Sequence, residues 1–398
     1  MMIKKIYALV VAILLAILPL TLSTGVNVYA DNGSGQTASE EFDETINEQL
    51  ENLDLSGLNN FFENYCDDKL GFFEGGSILD KISAIINGDF GADSQTVLSG
   101  IANIFLEEIV SFLPLVSSII AIAVLASLIT ELKSTNKSVG DIVHFVCFGV
   151  IIVLIMSAVT KMIALASSAL TLLDTQMEIM FPILLTLLTA IGGTVSVAVY
   201  QPAVAVLTSI VTKIFAGVLL PLFVFAVVLT IISHISPNIK LDKIASFLFT
   251  LFKWIIGIVF TVFMAFLAIK GITAGSIDSV SFKTARYSLS TYVPIVGGYL
   301  SEGLNLILAS CVLIKNAVGT AGLFIMFSTI LLPLVQLVLF MFVLKFTGAV
   351  LGPLSDSRVS NFLGGLSKVF LMPIVMILAV AFMYVVFVGL IMCTSVGV

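Results

Sequence analysis

Apolar residues run almost unbroken through most of this chain, and the few polar interruptions cut it into segments of membrane-spanning length. Hydropathy in windows of about nineteen residues predicts spans at 109–130, 139–160, 179–200, 206–232, 247–269, 293–314, 317–344 and 369–393. Two of these eight admit another reading. Only Gln201-Pro202 separates the third from the fourth, and the sixth carries Gly297-Gly298, Ser301, Glu302 and Asn305. Either also fits a re-entrant or broken element, so seven spans is the alternative count. The expected fold is all-α, a polytopic transmembrane bundle over 109–398.

Ahead of the bundle the pattern changes twice. Lys4 and Lys5 precede an apolar stretch from Ile6 to Leu22, and Val28-Tyr29-Ala30 offers small residues where a signal peptidase cuts. Residues 1–30 therefore read as a signal peptide, with an uncleaved signal anchor as the alternative. Both readings place the region from Asp31 onward outside the membrane. Within 31–108, Phe42, Ile46, Leu50 and Leu53 recur three or four residues apart among carboxylates, the spacing of an amphipathic helix. Further apolar positions predict two or three more short helices, broken at Gly75-Gly76 and Asn87-Gly88. This acidic extracytoplasmic helical region forms a small solvated cap, or else lays its apolar faces on lipid or on a partner.

Composition and charge sharpen that picture. The 398 residues are 59% hydrophobic and only 11% charged, whereas soluble domains are nearer one quarter charged. The net charge of −7 hides an asymmetry. Residues 31–108 hold 17 of the 25 acids and only two bases, Lys69 and Lys81, while the chain beyond holds 14 bases and 8 acids. No basic surface is available for phosphate, which excludes nucleic acid as a partner. Lipid is the expected surround. Cys66, Cys147, Cys311 and Cys393 share no paired spacing and imply neither a disulfide framework nor a metal site.

Cytoplasmic loops carry the excess of Lys and Arg. With the N-terminal region outside, the inner loops of the eight-span arrangement hold Lys133 and Lys137, then Lys270, Lys283 and Arg286, then Lys345, Arg358 and Lys368. Lys161, Lys240, Lys243 and Lys315 fall outside, and both chain ends lie outside; with seven spans the C-terminus lies inside instead.

The chain also matches itself. Gly192-Gly193-x-x-Ser196 resembles Gly297-Gly298-x-x-Ser301, Leu219-Leu220-Pro221-Leu222 resembles Leu331-Leu332-Pro333-Leu334, and Phe247-Leu248-x-x-Leu251-x-Lys253 resembles Phe362-Leu363-x-x-Leu366-x-Lys368. The offsets, 105, 112 and 115, grow in order. Three spans per half, 179–270 and 293–393, would make an inverted-topology repeat of the kind transporters use. Chance similarity between leucine-rich segments is the competing explanation.

Chemistry-bearing residues are few. Lys213 sits inside the fourth expected span and Glu302 inside the sixth, and an ionisable group in hydrocarbon demands pairing or water. The two form a candidate polar pair, with Ser196, Ser301 and Asn305 as hydrogen-bonding neighbours. Snorkelling by Lys213 and an interfacial Glu302 is the plainer alternative. Gly192, Gly193, Gly297, Gly298 and Pro294 are candidate sites of helix break or close packing. No His-Glu-x-x-His, Gly-x-Ser-x-Gly or phosphate-loop pattern occurs. No catalytic residue, cofactor or metal is expected, and the chain does not read as an enzyme.

Three stretches carry a family resemblance: Phe282-Lys283-Thr284-Ala285-Arg286, then Tyr292-Val293-Pro294-Ile295-Val296-Gly297-Gly298-Tyr299-Leu300-Ser301-Glu302, then Leu313-Ile314-Lys315-Asn316-Ala317-Val318-Gly319. In these, and in the order of signal, acidic region and spans, the sequence resembles the stage III sporulation protein AE family of endospore-forming bacteria. The resemblance implies a multi-pass protein of the mother-cell membrane facing the forespore. It implies a channel or secretion-like complex with the other proteins of the same operon, AA to AH, and with stage II sporulation protein Q. It further implies a role in late forespore gene expression, with AA as the ATPase. An autonomous secondary transporter for a small solute is the alternative function.

Overall fold

The computed structural model describes residues 45–46, 48–50, 53–65, 77–87, 94–132, 137–235, 241–292, 297–353 and 357–394. The signal segment 1–30, residues 31–44, the expected break at Gly75-Gly76 and Pro294 lie outside the described residues. Two short helices come first, α1 (Ser56–Tyr65) and α2 (Ile78–Asn87). Next come α3 (Ser94–Leu132), α4 (Lys137–Ala190) and α5 (Thr194–Ile210), which continues through a π-helical segment (Val211–Leu219) into α6 (Leu220–Ile235). The chain ends with α7 (Asp242–Tyr292), α8 (Gly297–Leu351), α9 (Ser357–Val369) and α10 (Leu371–Cys393).

Six of these helical stretches are long and apolar enough to cross a membrane: Ser99–Ile129, Phe145–Ala190, Thr194–Ile235, Lys243–Ala268, Ile307–Leu351 and Arg358–Cys393. Hydropathy windows give eight segments because two long helices each register as more than one. The expected second span and most of the third belong to one helix, α4, and the expected sixth and seventh to α8. The polar residues between them, Lys161, Asp174 and Glu178 in α4 and Lys315-Asn316 in α8, lie within continuous helix. The division expected at 108/109 is likewise interior to α3. At 1.5 Å per residue α4 and α8 are each about 80 Å long, far beyond the roughly 30 Å of a bilayer's hydrocarbon core.

The helices alternate in direction. At one end, the cap end, α2 packs on α8, α1 packs on α4, and Gln49 reaches Ser310 and Cys311 of α8. Ile46, Leu50, Leu58, Phe61, Ile78 and Ile82 are buried there and join the core of the bundle. The acidic region thus rests its apolar faces on its own chain. Toward the opposite end, the base end, Phe148 of α4 and His234 of α6 meet Phe362 of α9, at 5.6 and 5.7 Å between ring centroids. Between the two ends Phe112, Phe340, Phe370 and Phe223 form a chain of ring contacts joining α3, α8, α10 and α6. The core is built on α8 and α10, whose apolar windows are 67% buried against 22% for α3 and α7. Lys243, at the start of α7, therefore shares the base end with Lys137, Lys345 and Arg358, and the placement of Lys243 opposite them in the eight-span arrangement is corrected.

Candidate functional site

Among the described residues, three polar constellations stand out on the cap half of the bundle. The first is the α4–α5 hairpin. Gly192 has φ 85°, a conformation natural to glycine and strained for a side-chain-bearing residue. Its N–H donates to the Thr189 carbonyl at 2.9 Å, and the Gly193 N–H donates to the Leu188 carbonyl at 3.0 Å. That pair of bonds is a Schellman closure of α4. Gly193 caps α5, and a Cβ there would meet the Leu188 carbonyl oxygen at 2.9 Å. These two glycines thus reverse the chain within three residues. Gly297 and Gly298 occupy a different setting, the first turn of α8.

Along the hairpin, the Thr212 hydroxyl in the π segment lies 2.6 Å from Asp174 Oδ2 of α4 and 2.9 Å from the Thr208 carbonyl. Asp174 Oδ1 is buried without a hydrogen-bond partner. Pro221 has a part in the π geometry, because it has no N–H to give the Gly217 carbonyl, and the Leu220 N–H bonds five residues back to Phe215. Lys213 lies on this segment and is exposed, beside a shallow surface depression of about 460 Å³ that Ser209 and Ile210 also line. At the centre of a lipid-facing helix, each such charge costs about 2.5–3.5 kcal/mol. The side chains of its expected companions Glu302, Ser301 and Asn305 lie outside the described residues, although their backbone belongs to α8. Ser196 is buried in α5.

The second constellation is fully enclosed. Gln176 of α4 donates from Nε2 to the Gly322 carbonyl of α8 at 2.9 Å and lies 3.4 Å from the Tyr384 hydroxyl of α10. A Cβ on Gly322 would run into the Met180 methyl and the Tyr384 hydroxyl, so the missing side chain is what lets three helices meet around one amide.

The third was hidden from sequence reasoning. Lys315, expected in a loop, is wholly buried inside α8. Its ammonium donates to the carbonyls of Met392 at 3.1 Å and Thr394 at 2.5 Å, the last acceptors of α10. A cation at a helix C-terminus meets both the unpaired carbonyls and the negative end of the dipole. The Tyr200 hydroxyl of α5 joins the Thr394 hydroxyl at 3.0 Å, so α5, α8 and α10 share one polar lock. The only sequence signal was a lone lysine within an apolar stretch.

On the cap side, Asp54 accepts from the Ser56 hydroxyl and N–H at the start of α1, which holds its carboxyl below the usual range. Ser77 and Asp80 exchange hydrogen bonds at the start of α2 as a capping box. Among the described residues no group of three His, Cys, Asp or Glu side chains is placed to hold a metal ion. The polar sites join helices and cap their ends.

A model of the stage III sporulation protein AE family matches residues 77–395. The chain is 23% identical over 314 residues to stage III sporulation protein AE of Bacillus subtilis (strain 168), an alignment covering 76% of this chain and 79% of that relative. No solved structure matches it.

Proposed function

The chain belongs to the stage III sporulation protein AE family, and from that membership we propose that it is a non-enzymatic membrane subunit of the channel or secretion-like complex linking mother cell and forespore. In this role it supports late forespore gene expression. Its partners are the other stage III proteins AA to AH and stage II sporulation protein Q, and ATP hydrolysis belongs to AA. The observation that carries the reading is the family match across 319 of the 398 residues, joined to a bundle of six apolar helices with an acidic cap fastened to it.

In the orientation we propose, residues 1–30 direct export, the cap end faces the intermembrane space and the base end faces the mother-cell cytoplasm. The basic residues Lys137, Lys243, Lys345 and Arg358 at helix positions near the base end support it. Affinity capture of the tagged full chain from sporulating cells, sampled through engulfment, tests the assignment. Recovery with the other stage III proteins supports it; recovery alone, at normal abundance in mild detergent, refutes it.

The second reading, an autonomous solute transporter, draws on the motif matches between halves. Gly192-Gly193 and Gly297-Gly298 both precede or open a long helix, and Pro221 and Pro333 both lie within one. The described helices show two long elements in each half, not three. An inverted repeat requires Gly193 and Gly298 to face opposite sides of the membrane, whereas both stand at the cap end of this fold; side-specific cysteine labelling tests the point. A polar pathway through Lys213 and Glu302 predicts that Glu302→Gln impairs sporulation more than Lys270→Gln; equal and negligible effects refute it.

A further inference from the structure

We infer that the bilayer covers only the base half of this bundle, and that the cap half of its longer helices stands out of the membrane in water as a pillar some tens of ångströms tall. The exposed side chains carry this placement. Large apolar residues face outward from Phe105 to Leu128 of α3, Ile142 to Val153 of α4, Phe225 to Ile235 of α6 and Ile244 to Met264 of α7, and at Phe342 and Phe346 of α8. The contacts Phe112 with Phe340 and Phe148 with Phe362 set these stretches side by side. Along α3 and α7 the belt measures about 30–35 Å, the thickness of one hydrocarbon core.

Beyond the belt the same helices change character. The outer face of α4 becomes Ala164, Ser168, Thr171, Glu178 and Thr186, and that of α5 and the π segment includes Gln201, Ser209, Thr212 and Lys213. On the pillar helices, the large apolar side chains exposed among the described residues reduce to Val206, Val218 and Ile307. The threonines alone do not decide the matter, since Thr171, Thr186 and Thr212 each also bond a carbonyl of their own helix and such hydroxyls are tolerated in lipid. The charges decide it: Asp174 and Glu178 lie past the belt, and Lys213 stands at its rim. Helix α7 gives an independent mark, for the apolar run in its sequence ends at Ile269 while the helix runs on to Tyr292 through Lys270, Asp278, Lys283 and Arg286.

Of the charged groups within the belt, Glu107 is exposed at its cap-side rim and two others have partners. Glu108 accepts from Gln336 at 2.6 Å near its cap-side rim, and the Lys253 ammonium folds over Phe249, one turn toward the base, at 4.3 Å, as a snorkelling lysine does. The pillar's apolar interior is a protein core, not a lipid contact. From Lys161 to Ala190 along α4 it extends about 45 Å.

The chain has a single tryptophan, Trp254, 68% exposed in the belt, which makes the placement measurable without a variant. In liposomes whose acyl chains carry bromine, Trp254 emission is expected to be largely quenched and insensitive to aqueous iodide. The variant Trp254→Phe with Ser209→Trp should reverse both responses. As a check that tolerates misfolding of that variant, single cysteines at Ser168→Cys and Ser209→Cys, in a background with the native cysteines replaced by serine, should react with a membrane-impermeant maleimide supplied on both sides. Val146→Cys and Val228→Cys should remain unlabelled. Bromolipid quenching at position 209 equal to that at 254, or maleimide protection at 168 and 209 equal to that at 146, overturns the inference. The placement rests on the fold alone, so loss of the channel reading leaves it standing.

Discussion

Replacing Lys315 with methionine isolates the lock at the end of α10. Methionine keeps most of the aliphatic stem that α8 packs around and removes only the ammonium. The change deletes two charge-assisted hydrogen bonds, each worth about 1.5–3 kcal/mol, and strands the Met392 and Thr394 carbonyls that accepted them. Against that loss stands relief of the ammonium's desolvation, which is several kcal/mol for a buried ion. Because Lys315 is wholly buried, both contributions are large, and their sum decides the sign. Carbonyls of a helix terminus retain their dipole whether or not a cation is present, so the stranded acceptors stay costly, and Lys315→Met is expected to destabilise the protein by about 2–4 kcal/mol.

Denaturant titration of the full chain in mild detergent, followed by Trp254 emission, measures this directly. Tyr200→Phe removes the neighbouring bond to Thr394. If the two side chains hold the same turn, the double variant should lose less than the sum of the singles. A Lys315→Met protein as stable as the wild type, or more so, would show that burying the charge costs at least as much as its two carbonyls return, and would refute the lock.

Three further outcomes are expected. Gly192→Ala forces a Cβ into the φ 85° conformation and should cost about 1–2 kcal/mol by the same titration, whereas alanine at the exposed helical Gly217 should cost nothing or stabilise. Leu58→Ala, at a position wholly buried where the cap meets the bundle, should cost about 2–5 kcal/mol, and limited proteolysis should then release the cap region before the helices are cut. Gln336→Ala breaks the 2.6 Å bond to Glu108 and should cost about 0.6 kcal/mol and no more than about 1.7, the average and the maximum found for hydrogen bonds between membrane helices; no measurable loss would place that pair among those already satisfied by water.

How much of this was legible in the sequence depends on what each signal physically reports. Helix class and the base-end spans were legible, since a segment such as 247–269 is apolar and faces outward at Phe247, Trp254 and Ile258. The Gly192-Gly193 break was legible as a break, because glycine pairs favour the left-handed closure that α4 uses. Span number was not. A hydropathy window records that residues avoid water and cannot distinguish lipid from protein as the refuge, so the interior of α8 around Leu331 scores like a lipid-facing span although Leu331 is buried and α8 packs against α4 and α10. Lys315 misleads in the opposite sense: a charge in an apolar run signals a loop, yet its neutralising partners, two carbonyls 77 and 79 residues away, have no side-chain signature. Asp174 is silent for the same reason, its contact with Thr212 existing only because the hairpin at Gly192 folds α5 back on α4. Polar residues inside an apolar chain therefore mark different things, water nearby, a helix end nearby or, as at Gln176, the backbone of a neighbouring helix, and the tertiary fold alone separates them.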